Sequence, residues 1–145
     1  MRIILCGSLS FAKEMKKMKD ILNKIGHETL IPSSIEKFGV EEIEKIKSDK
    51  RKYLQVAPTY MKEDFDKIKN SDAILVVNLD KNGIENYIGG NTFAEIMFAF
   101  YNNKKVFLLN PISKSERLSI ITNEIEAVNP VIIGGVEKIE KILGE

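Results

Sequence analysis

The chain has 145 residues, the size of one typical domain, and 43% of them are hydrophobic. Its 22 basic and 21 acidic residues give a formal net charge of +1, which argues against a nucleic-acid or membrane partner held by bulk electrostatics. The chain has one cysteine and one histidine, too few for a metal site of the Cys/His kind. A single cysteine cannot form an internal disulfide, which fits a reducing compartment. We therefore predict one soluble, cytoplasmic domain over residues 1–145, with no signal peptide, membrane-spanning segment or bound metal.

Apolar runs of strand length alternate with segments of helical period along the chain. The predicted strands are Arg2–Cys6, Glu28–Ile31, Ala73–Asn78, Lys105–Leu109 and Val131–Ile133. The predicted helices are Phe11–Ile25, Val40–Lys52, Pro58–Asn70, Thr92–Asn102, Ser115–Ala127 and Val136–Leu143. The least regular stretch, Lys52–Tyr60, is predicted to be a mobile loop or lid. This alternation favours an α/β fold, a doubly wound, flavodoxin- or Rossmann-like, five-stranded parallel sheet with helices on both faces.

Three segments that follow predicted strands are candidates for a ligand site, because such sheets bind ligands at the carboxyl ends of their strands. They are Cys6–Ser10, Asn78–Asn91 and Asn110–Ser113. The second is the most informative, since it runs into Gly-Gly-Asn-Thr-x-x-Glu at residues 89–95, at the start of a predicted helix. Glycines let backbone N–H groups approach a ligand, and a helix N-terminus favours an anion.

Each of the candidate side chains also has a purely structural interpretation. Thr92 and Glu95 have the spacing of a capping box, in which Glu95 only bonds back to the Thr92 amide. Asp64 flanks the buried face of its predicted helix, where it points into the crevice or pairs with the helix dipole. Cys6 fits a small core residue at a strand end. Spacing alone leaves both interpretations open.

Taken together, four segments resemble the nucleoside 2-deoxyribosyltransferase superfamily, which includes the 2'-deoxynucleoside 5'-phosphate N-hydrolases. Residues 4–8, Ile-Leu-Cys-Gly-Ser, are similar to the hydrolases' Cys-Gly-Ser after strand one. Residues 64–68, Asp-Phe-x-x-Ile, lead to Ser-Asp and an apolar strand at residues 71–77, as in the family. Residues 92–106 are similar to the family's Gly-Thr-x-x-Glu-x-Gly-x-Ala…Gly-Lys-Pro-Val. The order and spacing of these segments along most of the chain carry the resemblance.

The resemblance implies cleavage of an N-glycosidic bond without a cofactor. Glu95 matches the nucleophile that attacks C1' of the sugar, and Asp64 matches the aspartate that positions the sugar and assists protonation of the leaving base. A place on the first turn of a helix is expected to help hold Glu95 ionised. The substrate-binding residues implied are Cys6, Gly7, Ser8, Gly89, Gly90, Asn91, Thr92, Asn110 and Ser119.

Family members complete each active site with residues from a neighbouring subunit, so the resemblance also implies a homodimer or a higher even oligomer. Asn110 and Ser119 lie in the region where we expect that contribution, and the apolar helix Phe93–Tyr101 offers a contact surface. The implied ligand is a small nucleoside or nucleotide.

Two departures from the family pattern shape the expected reaction. The transferases carry an aspartate six residues before the nucleophile, where this chain has Gly89. The loss of this sugar or base contact favours a hydrolase or a binder without catalysis over a transferase. The missing negative charge favours a 5'-monophosphate over a free nucleoside. The segment Leu79–Ile88 is also longer than the hydrolase loop, so the base pocket must differ.

Two alternatives remain. One is a nucleotide-binding domain without catalysis, in which Glu95 would fold onto its own cap and Asp64 would turn outward. The other is a phosphoribohydrolase of the cytokinin-activating type, whose motif is Pro-Gly-Gly-x-Gly-Thr-x-x-Glu. That motif has one more residue between Gly-Gly and Thr than residues 89–95 have, and it begins with a proline that this chain lacks.

Overall fold

A computed structural model describes residues 1–140 of the chain. Its parallel strands are β1 Arg2–Cys6, β2 Glu28–Leu30, β3 Ala73–Val76, β4 Lys105–Leu108 and β5 Val131–Ile132. They form one sheet in the order β2-β1-β3-β4-β5. Ile4 of β1 pairs with Leu30 on one side and Ile74 on the other, which fixes the register at the centre of the sheet. The predicted doubly wound, flavodoxin-like arrangement is confirmed.

The helices are α1 Ala12–Lys24, α2 Ser33–Ser48, α3 Lys50–Lys69, α4 Gly90–Tyr101 and α5 Ser119–Val128. Short 3-10 turns lie at Leu9–Phe11, Glu116–Leu118 and Val136–Lys138. The closing helix was predicted over Val136–Leu143, and its residues from 141 onward lie outside the described part of the chain. Among residues 1–140, no helix is both long enough and apolar enough to cross a membrane.

Alternate residues of each strand pack on opposite faces of the sheet. Ile3 and Leu5 of β1 belong to a core that also contains buried side chains of α1 and α2. Ile4 and Cys6 belong to a second core, which is formed with α3, α4 and α5. Both faces of the sheet are therefore buried, which is why the strands are continuously apolar rather than alternating.

The segment Lys52–Tyr60 is not the mobile loop that its sequence predicts. It forms the first half of α3, which continues without interruption through Pro58. Asp49 caps this helix by accepting a hydrogen bond from the Lys52 N–H at 3.2 Å, and Ala57 is buried. Packing of α3 against α2 compensates for the backbone donor that proline lacks. The local breaker signal is overridden by tertiary contacts.

The helix predicted from Val40 is likewise longer than expected. It begins at Ser33, directly after Pro32, and Gly39 divides it with φ 78° and ψ 174°. This positive φ suits glycine, which has no side chain to clash with the backbone. The predicted start at Val40 thus marks the second segment of α2, and the first segment brings Ser33 next to the functional site.

Candidate active site

A cavity of about 220 Å³ opens at the carboxyl end of β1, beside β3. This is the point where the strand order changes direction, the usual position of a ligand in such sheets. Gly7 begins the loop after β1, and a side chain there would lie 2.8 Å from Met15 Cε and 2.9 Å from the carbonyl oxygen of Val77. Only glycine fits between these atoms, so close packing fixes the path of this loop at the edge of the cavity.

The cavity brings together most of the residues singled out in the sequence. Asp64, Glu95, Gly7, Ser8, Gly89, Gly90, Asn91 and Thr92 all line it. Cys6 is fully buried next to this cavity, and its thiol lowers the pKa of Glu95 in part. The apolar part of the wall comes from α2 and α3 and includes Ile43, Ile46, Tyr53, Val56, Ala57 and Tyr60.

Asn110 and Ser119 do not line this cavity. Asn110 is held by Asn78 instead: its N–H donates to Asn78 Oδ1 at 2.9 Å, and its side chain donates to the Asn78 carbonyl at 3.0 Å. The Asn78 side chain in turn donates to the Asn110 carbonyl at 2.8 Å. These bonds tie the ends of β3 and β4 together. Ser119 is exposed at the start of α5. A contribution of either residue to a neighbouring subunit stays a prediction.

Glu95 does not form the capping box that its spacing allows. The helix begins at Gly90 with Gly89 as its N-cap, so Thr92 is already inside the first turn. In the part of the chain that the structure describes, no side chain caps α4 by a hydrogen bond. Glu95 is only 3% exposed and lines the cavity. Its carboxyl group is therefore available for chemistry in that cavity.

Asp64 reaches the same cavity from the neighbouring helix. It is 6% exposed, and its Oδ1 accepts a hydrogen bond from the Ser33 N–H at 2.7 Å. Because α3 begins at Lys50, Asp64 lies in the second half of the helix and cannot act as a partner of the N-terminal dipole. Burial raises the pKa of Asp64, while the Ser33 hydrogen bond and the charge of Lys67 lower it in part.

Asp64 and Glu95, called here the carboxyl pair, influence each other's ionisation. Burial and then the negative charge of Asp64 raise the pKa of Glu95 from 4.5 to about 8, and the bond from Cys6 opposes the rise. The expectation that the helix start holds Glu95 ionised is therefore wrong. A helix dipole contributes up to about 2 kcal/mol at a partly buried position, whereas the rise in the pKa from 4.5 to about 8 corresponds to about 5 kcal/mol. At neutral pH Glu95 therefore holds a proton.

Two lysines of the cavity wall were missed by sequence reasoning. Lys81, from the segment after β3, donates a hydrogen bond to Ser8 Oγ at 2.9 Å, and its ammonium lies 4.9 Å from the centre of the Tyr87 ring. Lys47, from α2, donates to Ser10 Oγ. Lys47 is one of many charged residues in the predicted helix Val40–Lys52, and its neighbours in sequence give no sign of a functional role. Only the fold brings it to the loop after β1.

The Tyr87 ring lies close to the backbone of Gly89. A side chain at Gly89 would lie 2.9 Å from the Tyr87 hydroxyl and 3.3 Å from its ring. The neighbouring Gly90 has open space at the same place. The close approach of the Tyr87 ring therefore favours glycine at position 89.

A scan against models of protein families finds no match to this sequence, and a search of curated proteins finds none either. Among solved structures, a CMP N-glycosidase from Clostridium botulinum, BcmB, is similar over 99% of this chain and 98% of that chain. The sequence identity is 16% and the TM-score is 0.49. At this level the similarity does not support a function for this chain. A proposed function has to rest on the residues of the chain itself.

Proposed function

We propose that this protein cleaves the N-glycosidic bond of a nucleoside or nucleoside 5'-monophosphate by hydrolysis, with Glu95 as the nucleophile. Asp64 positions the sugar and delivers a proton to the leaving base. The roles follow from the family resemblance of residues 64–68 and 92–106.

The observation that carries the proposal is the carboxyl pair itself. Two carboxyl groups from different helices are almost completely buried in one cavity, and the charge of one raises the pKa of the other. Buried carboxyl groups without ion pairs are costly to the fold, and such strongly shifted groups in a cleft are typical of catalytic sites. A nucleotide-binding domain without catalysis would not need the two groups together. That alternative is disfavoured because Glu95 lines the cavity and does not cap its own helix.

The proton held by the pair suits the proposed chemistry. At neutral pH Glu95, whose pKa is raised to about 8, holds this proton, and the negative charge of Asp64 helps to keep it there. Transfer of this proton to Asp64 frees the Glu95 carboxylate, which forms a bond to C1' as the bond from C1' to the base breaks. The bonding electrons leave with the base, and Asp64 returns the proton to it. Water then hydrolyses the glycosyl ester, with Asp64 as the base.

The test is a screen for free base. The protein is incubated with common ribo- and deoxyribonucleosides and with their 5'-monophosphates, and the products are separated by chromatography. We expect Glu95→Ala to lower the rate of base release by several orders of magnitude, since a nucleophile is lost. Circular dichroism checks that the variant is folded. Turnover at the wild-type rate in this variant would remove the catalytic role of Glu95.

A further inference from the structure

Two positive charges meet at the loop after β1, within the cavity that contains the carboxyl pair. Lys47 comes from α2 and Lys81 from the segment after β3, and both line the cavity. Each ammonium donates to a serine hydroxyl of this loop, Lys81 to Ser8 and Lys47 to Ser10. The two cations thus converge on neighbouring hydroxyls from opposite parts of the chain.

Neither lysine forms an ion pair with a carboxylate in the described part of the chain. The ion pairs that form across residues 1–140 involve other basic groups. Burial, followed by the positive charge of Lys47, lowers the pKa of Lys81. Two like charges held close together disfavour each other, and the repulsion is relieved when an anion binds between them.

The cavity therefore presents two clusters of opposite character. The carboxyl pair suits a sugar carbon that becomes positive as its bond to the base breaks. The lysines and serine hydroxyls suit an anion with several oxygen acceptors, and phosphate offers three. One ligand that carries both features is a nucleotide, whose phosphate is attached to the sugar.

We infer that Lys47 and Lys81 bind the 5'-phosphate of the substrate and so determine the preference for a nucleotide over a nucleoside. This inference rests on the function proposed above and adds the residues that select the substrate. Ser8 and Ser10 hold the two ammonium groups in place before the phosphate arrives. Because α2 supplies Lys47, the phosphate also links this helix to the loop after β1.

The experiment measures equilibrium binding, which requires no turnover. Glu95→Gln serves as the background, so that the ligand is not consumed during calorimetry. Each nucleoside is compared with its own 5'-monophosphate. The test variants are Lys47→Met and Lys81→Met, which keep a long side chain and remove the charge. Lys81→Arg retains the charge, and Lys45→Met is the matched control, because Lys45 is an exposed residue of α2 that does not line the cavity.

We expect either methionine variant to weaken 5'-monophosphate binding about ten- to a hundredfold, as for the loss of a hydrogen bond to a charged group. Binding of the nucleoside should change by less than about twofold, Lys45→Met should match the background protein, and Lys81→Arg should recover most of the affinity. Thermal denaturation identifies a variant that does not fold. If Lys81→Met does not fold, the result for Lys47→Met decides, because Lys47 is an exposed residue whose replacement should leave the fold intact.

Three results would overturn the inference. They are no binding of any 5'-monophosphate, equal losses for nucleoside and monophosphate, and unchanged monophosphate affinity in both methionine variants. Failure of the proposed function looks different. In that case monophosphates bind in a lysine-dependent manner, but the wild-type protein releases no base. Conversely, base release with equal kcat/KM for both ligand forms, unaffected by the lysine variants, leaves the proposed function standing and removes the role of the lysines.

Discussion

Replacing Glu95 with glutamine removes a titrating carboxyl group and keeps a side chain of nearly the same size. In the folded chain the pKa of Glu95 is about 8, compared with an ordinary value of 4.5. Between these two pH values the folded state holds a proton that the unfolded state releases. The free energy of unfolding of the wild-type protein therefore falls as pH rises through this window, by up to about 1.4 kcal/mol per pH unit.

This cost accumulates to about 3 kcal/mol at pH 7 and to about 5 kcal/mol above pH 8, where both states are ionised. The glutamine side chain is neutral at every pH and avoids it. We expect Glu95→Gln to be more stable than the wild type by these amounts, and the difference to vanish near pH 4.5, the ordinary pKa of the group. All other titrating groups are common to both proteins, so they largely cancel in the comparison.

Urea unfolding followed by circular dichroism, repeated from about pH 4.5 to about pH 9, gives both free energies. Glu42→Gln is the matched control, because Glu42 is an exposed glutamate on α2. This control should show no comparable rise with pH. A constant difference between Glu95→Gln and the wild type across the range would refute the account of a buried, protonated Glu95.

Three further predictions concern the reaction, the packing around Gly89 and the assembly. We expect kcat/KM for base release to fall above about pH 8, because the carboxyl pair then loses the proton that the leaving base needs. A rise in kcat/KM through that pH would show that the base leaves without a proton from the pair. Gly89→Ala should lower the free energy of unfolding by about 1–3 kcal/mol, because the new methyl group would clash with Tyr87. Gly90→Ala is the control and should leave the free energy of unfolding unchanged, since a methyl group there meets open space. Equal melting temperatures for the two variants would contradict the predicted clash. The chain should form a homodimer, and Tyr101→Glu should weaken it, since Tyr101 is 83% exposed beside the half-exposed Phe100. Light scattering that reports a fully active wild-type monomer would count against the dimer.

The candidate site could be predicted in part. Asp64 and Glu95 were found because short motifs around them resemble a family, and both line one cavity. Their ionisation could not be predicted, because it depends on burial and on the distance between two helices. For Glu95, the local rule that a helix start favours a negative charge gave the wrong protonation state, since desolvation is the larger effect.

The sequence by itself determined the sheet. Continuous apolar runs such as Ala73–Val76 are buried on both faces, and alternation with helical periods leaves a parallel, doubly wound arrangement as the natural solution. Only the tertiary structure shows that α2 and α3 form one wall of the cavity. The stretch Lys52–Tyr60 carries the local signals of a loop, yet it is helical because α2 and α3 pack together. Lys47 and Lys81 are far apart in the chain, and each looks like an ordinary surface charge until the fold brings both to the same pair of serine hydroxyls. Short-range patterns set the period of each element, whereas contacts between distant residues set charge, burial and substrate recognition.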